Sequence, residues 1–147
     1  MKLYLDLCCF GRLFDDPVQP RVKLEAEAVL MILKEIQNGR YDLLSSEVMD
    51  MENDANPDID EQSEIRNLLK LSKRKIVIGN NEMARAQDLV LMGFGTYDAF
   101  HVVSAESGGA DYFLSTDDNL LKLGAKNKSK LAVDVVNPVE WLRESRQ

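Results

Sequence analysis

Five short runs of β-forming residues set the outline of this chain. They are Lys2 to Leu5 (KLYL), Tyr41 to Leu44 (YDLL), Ile76 to Ile78 (IVI), Tyr112 to Leu114 (YFL) and Leu131 to Val136 (LAVDVV). Helix-forming sequence separates each run from the next. Short strands alternating with helices imply a parallel sheet with helices on both faces, joined by right-handed crossovers. The expected fold is α/β: a single three-layer α/β/α domain over residues 1–147, on a central parallel sheet of four or five short strands.

The helices are marked by their apolar spacing and their ends. Arg21 to Asn38 carries Leu24, Ala28, Met31, Ile32 and Ile36 on one face, widened by Val29 and Leu33, with Pro20 at its start and Gly39 at its end. That face is broad enough for part of it to pack on a partner or on a second copy. Ser45 and Ser46 are N-cap candidates for a helix through Glu47 to Glu52. Asn53 to Asp58 reads as a turn, and Asp60 to Leu71 and Glu82 to Met92 as helices. Thr96 is the expected N-cap of a helix that Gly108 and Gly109 end. Leu120 to Leu123 reads as a short helix ended by Gly124, followed by a basic loop with Lys126, Lys128 and Lys130. Phe10 to Pro20 reads as a loop, and the tail Glu144 to Gln147 as frayed.

Composition excludes several classes. A formal net charge of −7 is wrong for a protein that coats nucleic acid by bulk electrostatics. It leaves open an enzyme that acts on nucleic acid through bound cations, because such ions reverse the local field. No apolar run is long enough to span a membrane, and the N-terminus lacks the apolar core of a secretory signal. Cys8 and Cys9 are adjacent, a poor geometry for a mutual disulfide, and read as buried thiols of a cytoplasmic protein.

Acids recur at comparable places in this layout. Asp6 follows the first strand and Asp117 the fourth, so both fall at strand carboxyl ends, where parallel α/β sheets bind ligands. Asp98 lies in the first turn of its helix. Glu52 shares a helix face with Val48 and Met49, which points it inward. Each alone is ordinary: an Asp after a strand is most often a loop or cap residue. Convergence is what makes them a site. Clustered carboxylates repel, so a proton or a cation must relieve them, and hard oxygen ligands select Mg²⁺ or Mn²⁺ over zinc. Such ions serve phosphodiester hydrolysis without a covalent nucleophile from the protein.

On these residues the chain resembles the PIN-domain nucleases, the family that includes toxin ribonucleases of toxin–antitoxin pairs. The matching segments are YLD ending at Asp6, SSEVMDME ending at Glu52, YDAFHVVSAESGGADYFLSTDD from Tyr97 to Asp118, and NPVEWL near the C-terminus. Within them lie Ser46 with Glu52 six residues on, the helix start Asp98-Ala99-Phe100-His101, and Ser115-Thr116-Asp117 after a strand. The resemblance covers essentially the whole length. It implies a metal site of Asp6, Glu52, Asp98 and Asp117, cleavage of single-stranded RNA, an antitoxin partner and a homodimer. Ser46, Ser115 and Thr116 are then candidates to hydrogen-bond the ligating carboxylates, and Asp118 an outer partner of Asp117.

Three assignments stay open at this level. Glu47 competes with Glu52, Asp118 competes with Asp117, and Asp50 is a weaker outsider. His101, the only histidine, reads first as a packed helix residue and second as support for the site one turn beyond Asp98. Arg12, in the loop after Asp6, is the best candidate for a phosphate contact. Two other functions compete with the nuclease. One is a phosphatase or phosphotransfer domain with Asp6 as nucleophile, disfavoured because Leu7 and Cys8 follow where a second acid would stand. The other is an inactive binding module, disfavoured because all four motif acids are present.

Overall fold

The computed structural model describes residues 1–145. Its elements, in chain order, are β1 (Lys2–Leu5), α1 (Leu7–Gly11), α2 (Pro20–Gln37), β2 (Asp42–Ser46), α3 (Glu47–Asp54), α4 (Ile59–Leu69), β3 (Arg74–Ile76), α5 (Asn80–Leu91), α6 (Thr96–Ser107), β4 (Tyr112–Leu114), α7 (Asp118–Lys126), β5 (Asp134–Val136) and α8 (Pro138–Ser145). The strands form one parallel sheet in the order β3-β2-β1-β4-β5. This is the α/β architecture expected from the alternation, with five strands.

β1 shows that both faces of the sheet are covered. Successive strand residues point to opposite faces, yet Leu3, Tyr4 and Leu5 are all fully buried. Parallel sheets need such cover because their crossovers lie on the faces. α2 packs with α8, and α6 packs with α5 and α3. Trp141 of α8 closes the core with Tyr41 and Tyr112, ring edges meeting faces.

The order of strands matters for function. From β1 the chain moves outward through β2 to β3, then returns to the other side of β1 for β4 and β5. The carboxyl ends of β1 and β4 therefore flank the point where the winding reverses, the place where open α/β sheets form a crevice. Asp6 begins that crevice: its backbone N–H donates to Leu114 O at 2.9 Å, just past the last pair of the β1–β4 ladder.

Several boundaries differ from the sequence expectation, each for a local reason. Phe10 and Gly11, expected in the loop, close the short helix α1, which the Asp6 side chain caps by accepting from Leu7 N–H. β3 spans Arg74–Ile76 rather than Ile76–Ile78. Its partner β2 ends at Ser46, where α3 begins, so no strand remains beside Val77. The N-cap of α6 is Gly95, one residue before Thr96, and it offers no side-chain cap. α7 does not end at Gly124; the helix runs on to Lys126. Gly124 is there for closeness, since a Cβ on it would meet Val135 Cβ at 2.7 Å. β5 is shorter than LAVDVV because its partner β4 begins at Tyr112, opposite Asp134, so Leu131 to Val133 have no strand beside them. α8 takes in Glu144 and Ser145 of the tail expected to fray, while Arg146 and Gln147 lie outside the described residues.

α2 buries Val22, Ala28, Val29, Ile32, Leu33 and Ile36, and leaves Leu24, Leu30 and Met31 exposed. The breadth of its apolar face is thus greater than the core uses.

Candidate metal centre

Asp6 is the most buried of the four motif acids, and the chain fixes both of its oxygens. Oδ1 accepts from Leu7 N–H at 2.8 Å. Oδ2 accepts from the Ser115 hydroxyl at 2.9 Å and from the Cys8 thiol at 3.3 Å. Burial raises its pKa; His101, Ser115 and Cys8 oppose that rise, and the Glu52 charge adds to it. Ser115 is buried beyond the end of β4 and also accepts from Asp117 N–H at 3.1 Å, so one hydroxyl ties two of the acids' segments together. Thr116 is buried beside it, and its N–H reaches the Cys8 sulfur at 3.4 Å.

Glu52 comes to Asp6 from α3, and His101 from α6. Ligand atoms of Asp6, Glu52 and His101 all lie within 4.8 Å of one another. His101 is fully buried and both ring nitrogens are engaged. Nδ1 lies 2.7 Å from the Tyr4 hydroxyl, and Nε2 lies 3.2 Å from Glu52 Oε1. The Tyr4 hydroxyl is also 2.7 Å from Ser46 Oγ, which caps α3 by accepting from Met49 N–H. With a neutral ring, one proton assignment satisfies every partner. Ser46 donates to Tyr4, Tyr4 donates to Nδ1, and Nε2–H donates to the Glu52 carboxylate. Burial pushes the Tyr4 hydroxyl far above its usual range, so it stays a donor. The histidine therefore orients Glu52, and a buried serine and tyrosine orient the histidine.

Asp98 lies in the first turn of α6, outside the three residues whose ligand atoms meet within 4.8 Å. It is half-buried, and its carboxyl is pushed up to about 6. Burial is the main cause, the charges of Asp6 and Asp117 add to it, His101 opposes it, and Glu52 adds again. All three other motif acids thus act on Asp98. Asp117 is the N-cap of α7: its Oδ1 accepts from Asn119 N–H at 2.9 Å and Leu120 N–H at 3.3 Å. Its backbone leaves β4 through Ser115 and Thr116, which sets it beside the Asp6 end of the crevice.

The competing acids are held elsewhere. Glu47 Oε1 accepts from Ile78 N–H at 2.7 Å and pins the chain after β3. Asp50 pairs with Lys75. Asp118 is bound by both terminal nitrogens of Arg21, at 2.9 and 2.8 Å, and this pairing lowers its pKa. Arg12, expected as a free phosphate contact, is turned to Asp15 at 2.7 Å and to Glu25 at 2.8 Å. Its charge is already matched by those two carboxylates.

Three participants were not singled out from the sequence. Tyr4 reads there as one more apolar strand residue. Cys8 reads as a core thiol, yet it is only half-buried with its sulfur against Asp6 and Ser115. Glu25 is a buried carboxylate on α2, held by Arg12, Arg21 and Asn137 Nδ2. Its signal was available: position 25 lies on the same helical stripe as Val22 and Val29.

The donor set suits a hard divalent cation. Oxygen donors outnumber the one imidazole, and that imidazole is already committed to Tyr4 and Glu52. Burial first, and then neighbouring acids, raise the proton affinity of Asp6 and Asp98, and the acids' share is a sign of excess negative charge that a cation would offset. Asp6 and Glu52, with His101, converge closely enough to hold such an ion, with Ser115 bonded to Asp6; Asp98 and Asp117 are not part of that close group, and the charges of Asp6, Asp117 and Glu52 are felt at Asp98.

No family model matches the sequence, and no curated protein matches it. Solved structures do. One is VapBC2 from Rickettsia felis, bound to a DNA fragment from their promoter; the match has a TM-score of 0.57 at 12% identity and covers 93% of this chain and 98% of that one. Another is FitAcB from Neisseria gonorrhoeae, with a TM-score of 0.58 at 14% identity, covering 92% of this chain and 97% of that one. At such identities the likeness is one of fold: a parallel five-stranded sheet flanked by helices, of the PIN-like kind, over nearly the full length of each chain.

Proposed function

We propose that this chain is a divalent-metal-dependent ribonuclease that hydrolyses phosphodiester bonds of single-stranded RNA, and that it is the toxin of a toxin–antitoxin pair. One observation carries the reading. Ligand atoms of Asp6, Glu52 and His101 lie within 4.8 Å of one another at the sheet's crevice, and burial together with the charges of Asp6, Asp117 and Glu52 raises Asp98 to about 6. The motif resemblance and the fold likeness to VapBC2 and FitAcB chains support it.

Asp6, Glu52, Asp98 and Asp117 would hold Mg²⁺ or Mn²⁺. The bound ion would activate water as nucleophile and stabilise charge on the attacking and leaving oxygens. The chain's own part is orientation. Leu7 N–H and the Ser115 hydroxyl hold Asp6, His101 holds Glu52, and the first amides of α7 hold one oxygen of Asp117 while leaving the other free. Asp98 gives up its proton more readily once a cation is near, so loading of the site strengthens as pH rises through about 6.

The exposed Leu24, Leu30 and Met31 on α2 are suited to an apolar segment of an antitoxin, and a net charge of −7 to a basic one. The reading further takes the chain as one domain that acts as a homodimer in the cytoplasm. Among the described residues no helix is long and apolar enough to cross a membrane.

The test is cleavage of a mixed single-stranded RNA ladder with Mg²⁺ or Mn²⁺, beside EDTA and an Asp98→Asn variant. Metal-dependent cutting that the variant loses is the expected result. Well-folded protein that binds neither metal nor RNA would return the chain to the class of binding modules.

A further inference from the structure

A cleft of about 460 Å³ opens beside the acids, lined by Asp98, Asp117, Asn119, Lys122, Lys126 and the glycines of the α5–α6 connection. Its composition is unusual for a chain of this charge. Lys122 and Lys126 are exposed, lie one turn apart on the same face of α7, and enter no ion pair among the described residues. Side chains so spaced sit about 5–6 Å apart at their Cβ atoms, like rungs along the cleft wall. Gly93 and Gly95 contribute only backbone to the lining. Gly95 caps α6 without a side-chain bond, so the first amides of that helix stay available to an anion.

We propose that this cleft is the path of the RNA backbone, with Lys122 and Lys126 gripping phosphates next to the one being cut. The inference rests on the nuclease reading above and adds the residues that position its substrate. A strand cut at Asp98 and Asp117 must pass over them, and its neighbouring phosphates then meet the two unpaired lysines. An acidic peptide would bring carboxylates against the same acids with no phosphodiester to place at the metal. The basic cluster Lys70, Lys73, Arg74 and Lys75 lies around β3, at the far edge of the sheet, with Lys75 spent on Asp50.

Lysine contacts to phosphate are read by salt. For single strands the slope of log affinity against log salt is about −0.7 for each phosphate neutralised. The experiment uses the full chain and a labelled single-stranded oligoribonucleotide, with binding followed by fluorescence anisotropy in Ca²⁺ from about 50 to 200 mM KCl. Lys122→Gln/Lys126→Gln should flatten the slope by about 1.4 and each single variant by about 0.7, with melting curves like the wild type's. KM for RNA cleavage in Mn²⁺ should rise in the double variant while kcat at saturating RNA is retained. Lys73→Gln should keep the wild-type slope.

A double variant that binds with the wild-type slope, while the wild type cuts RNA, overturns the proposal and leaves the lysines for an acidic protein partner. A wild type that neither binds nor cuts RNA overturns the nuclease reading, and this inference falls with it.

Discussion

Replacing Asp98 by asparagine should stabilise the metal-free protein while it abolishes activity. The Asp98 carboxyl moves from the usual 3.8 to about 6 in the folded chain. At about 1.4 kcal/mol per pH unit, ionising it in the fold costs about 3 kcal/mol more than in the unfolded chain. The group is half-buried, so solvent screening reduces this to about 1–2 kcal/mol. Asparagine also forfeits the favourable placing of a carboxylate in the first turn of α6, worth about 0.5 kcal/mol. The sign follows from proton binding. Between the two values the folded chain holds the proton more tightly than the unfolded chain, so Asp98 adds stability at low pH and loses it as pH rises through 6. Chemical denaturation in EDTA should therefore find the variant more stable by about 1 kcal/mol near pH 7.5, with the gain fading toward pH 4. Adding Mn²⁺ should reverse the ranking, because the ion stabilises only a chain that binds it well. A variant less stable than wild type in EDTA near pH 7.5, or a gain that does not change with pH, would refute the reasoning that the acids repel one another in one site.

Other predictions separate the roles given to individual residues. Asp117→Asn should lower Mn²⁺ affinity by about 10–100-fold, whereas Asp118→Asn should leave it unchanged, because Asp118 is spent on Arg21; calorimetric titration reads both. Tyr4→Phe leaves His101 Nδ1 buried without a partner and should cost about 1–3 kcal/mol in urea denaturation. Arg12→Met removes the nearer guanidinium from buried Glu25; since Arg21 and Asn137 remain, the loss should be about 2–3 kcal/mol by the same method. Gly124→Ala gains helix propensity but drives a methyl into Val135, and the melting temperature should fall by an amount matching about 1–2 kcal/mol.

The strands were legible because each is a run of β-formers closed by a turn or an acid, and their alternation with helices left few topologies open. Their exact ends were not. β3 stops where β2 gives way to α3, a fact about its neighbour rather than about Ile76-Val77-Ile78. α1 was hidden because five residues carry no periodicity, and its cause is a side chain outside it, Asp6. The acids at strand ends were legible for a topological reason: all parallel strands end on one edge, so Asp6 and Asp117 had to share it. What holds the acids was not. His101 meets Glu52 across 49 positions of sequence and Tyr4 across 97. Such pairings depend on which helix packs on which strand, and no local pattern in KLYL marks its tyrosine as polar.

The same topology explains why this site should be governed by competition between protons and cations. β1 and β4 are neighbours at the reversal of the winding, so Asp6 and Asp117 are set close before any side chain is chosen. α3 and α6 pack on each other, and His101 of α6 meets Glu52 of α3 at 3.2 Å. The chain's own donors reach only some of the carboxylate oxygens: an amide, a hydroxyl and a thiol on Asp6, a ring nitrogen on Glu52, two amides on Asp117. None of these donors is a lysine or an arginine. Arg12 and Arg21, close enough in sequence to serve, are instead matched by Asp15, Glu25 and Asp118. The acidic cluster is thereby left short of positive charge, and the shortfall shows where the field of the other three acids is read most directly, in the raised proton affinity of Asp98. A proton can fill that shortfall below about pH 6, and a divalent cation can fill it above. Arg12 and Arg21 are thus spent on Asp15, Glu25 and Asp118, which under the proposed function leaves the remaining charge to a metal.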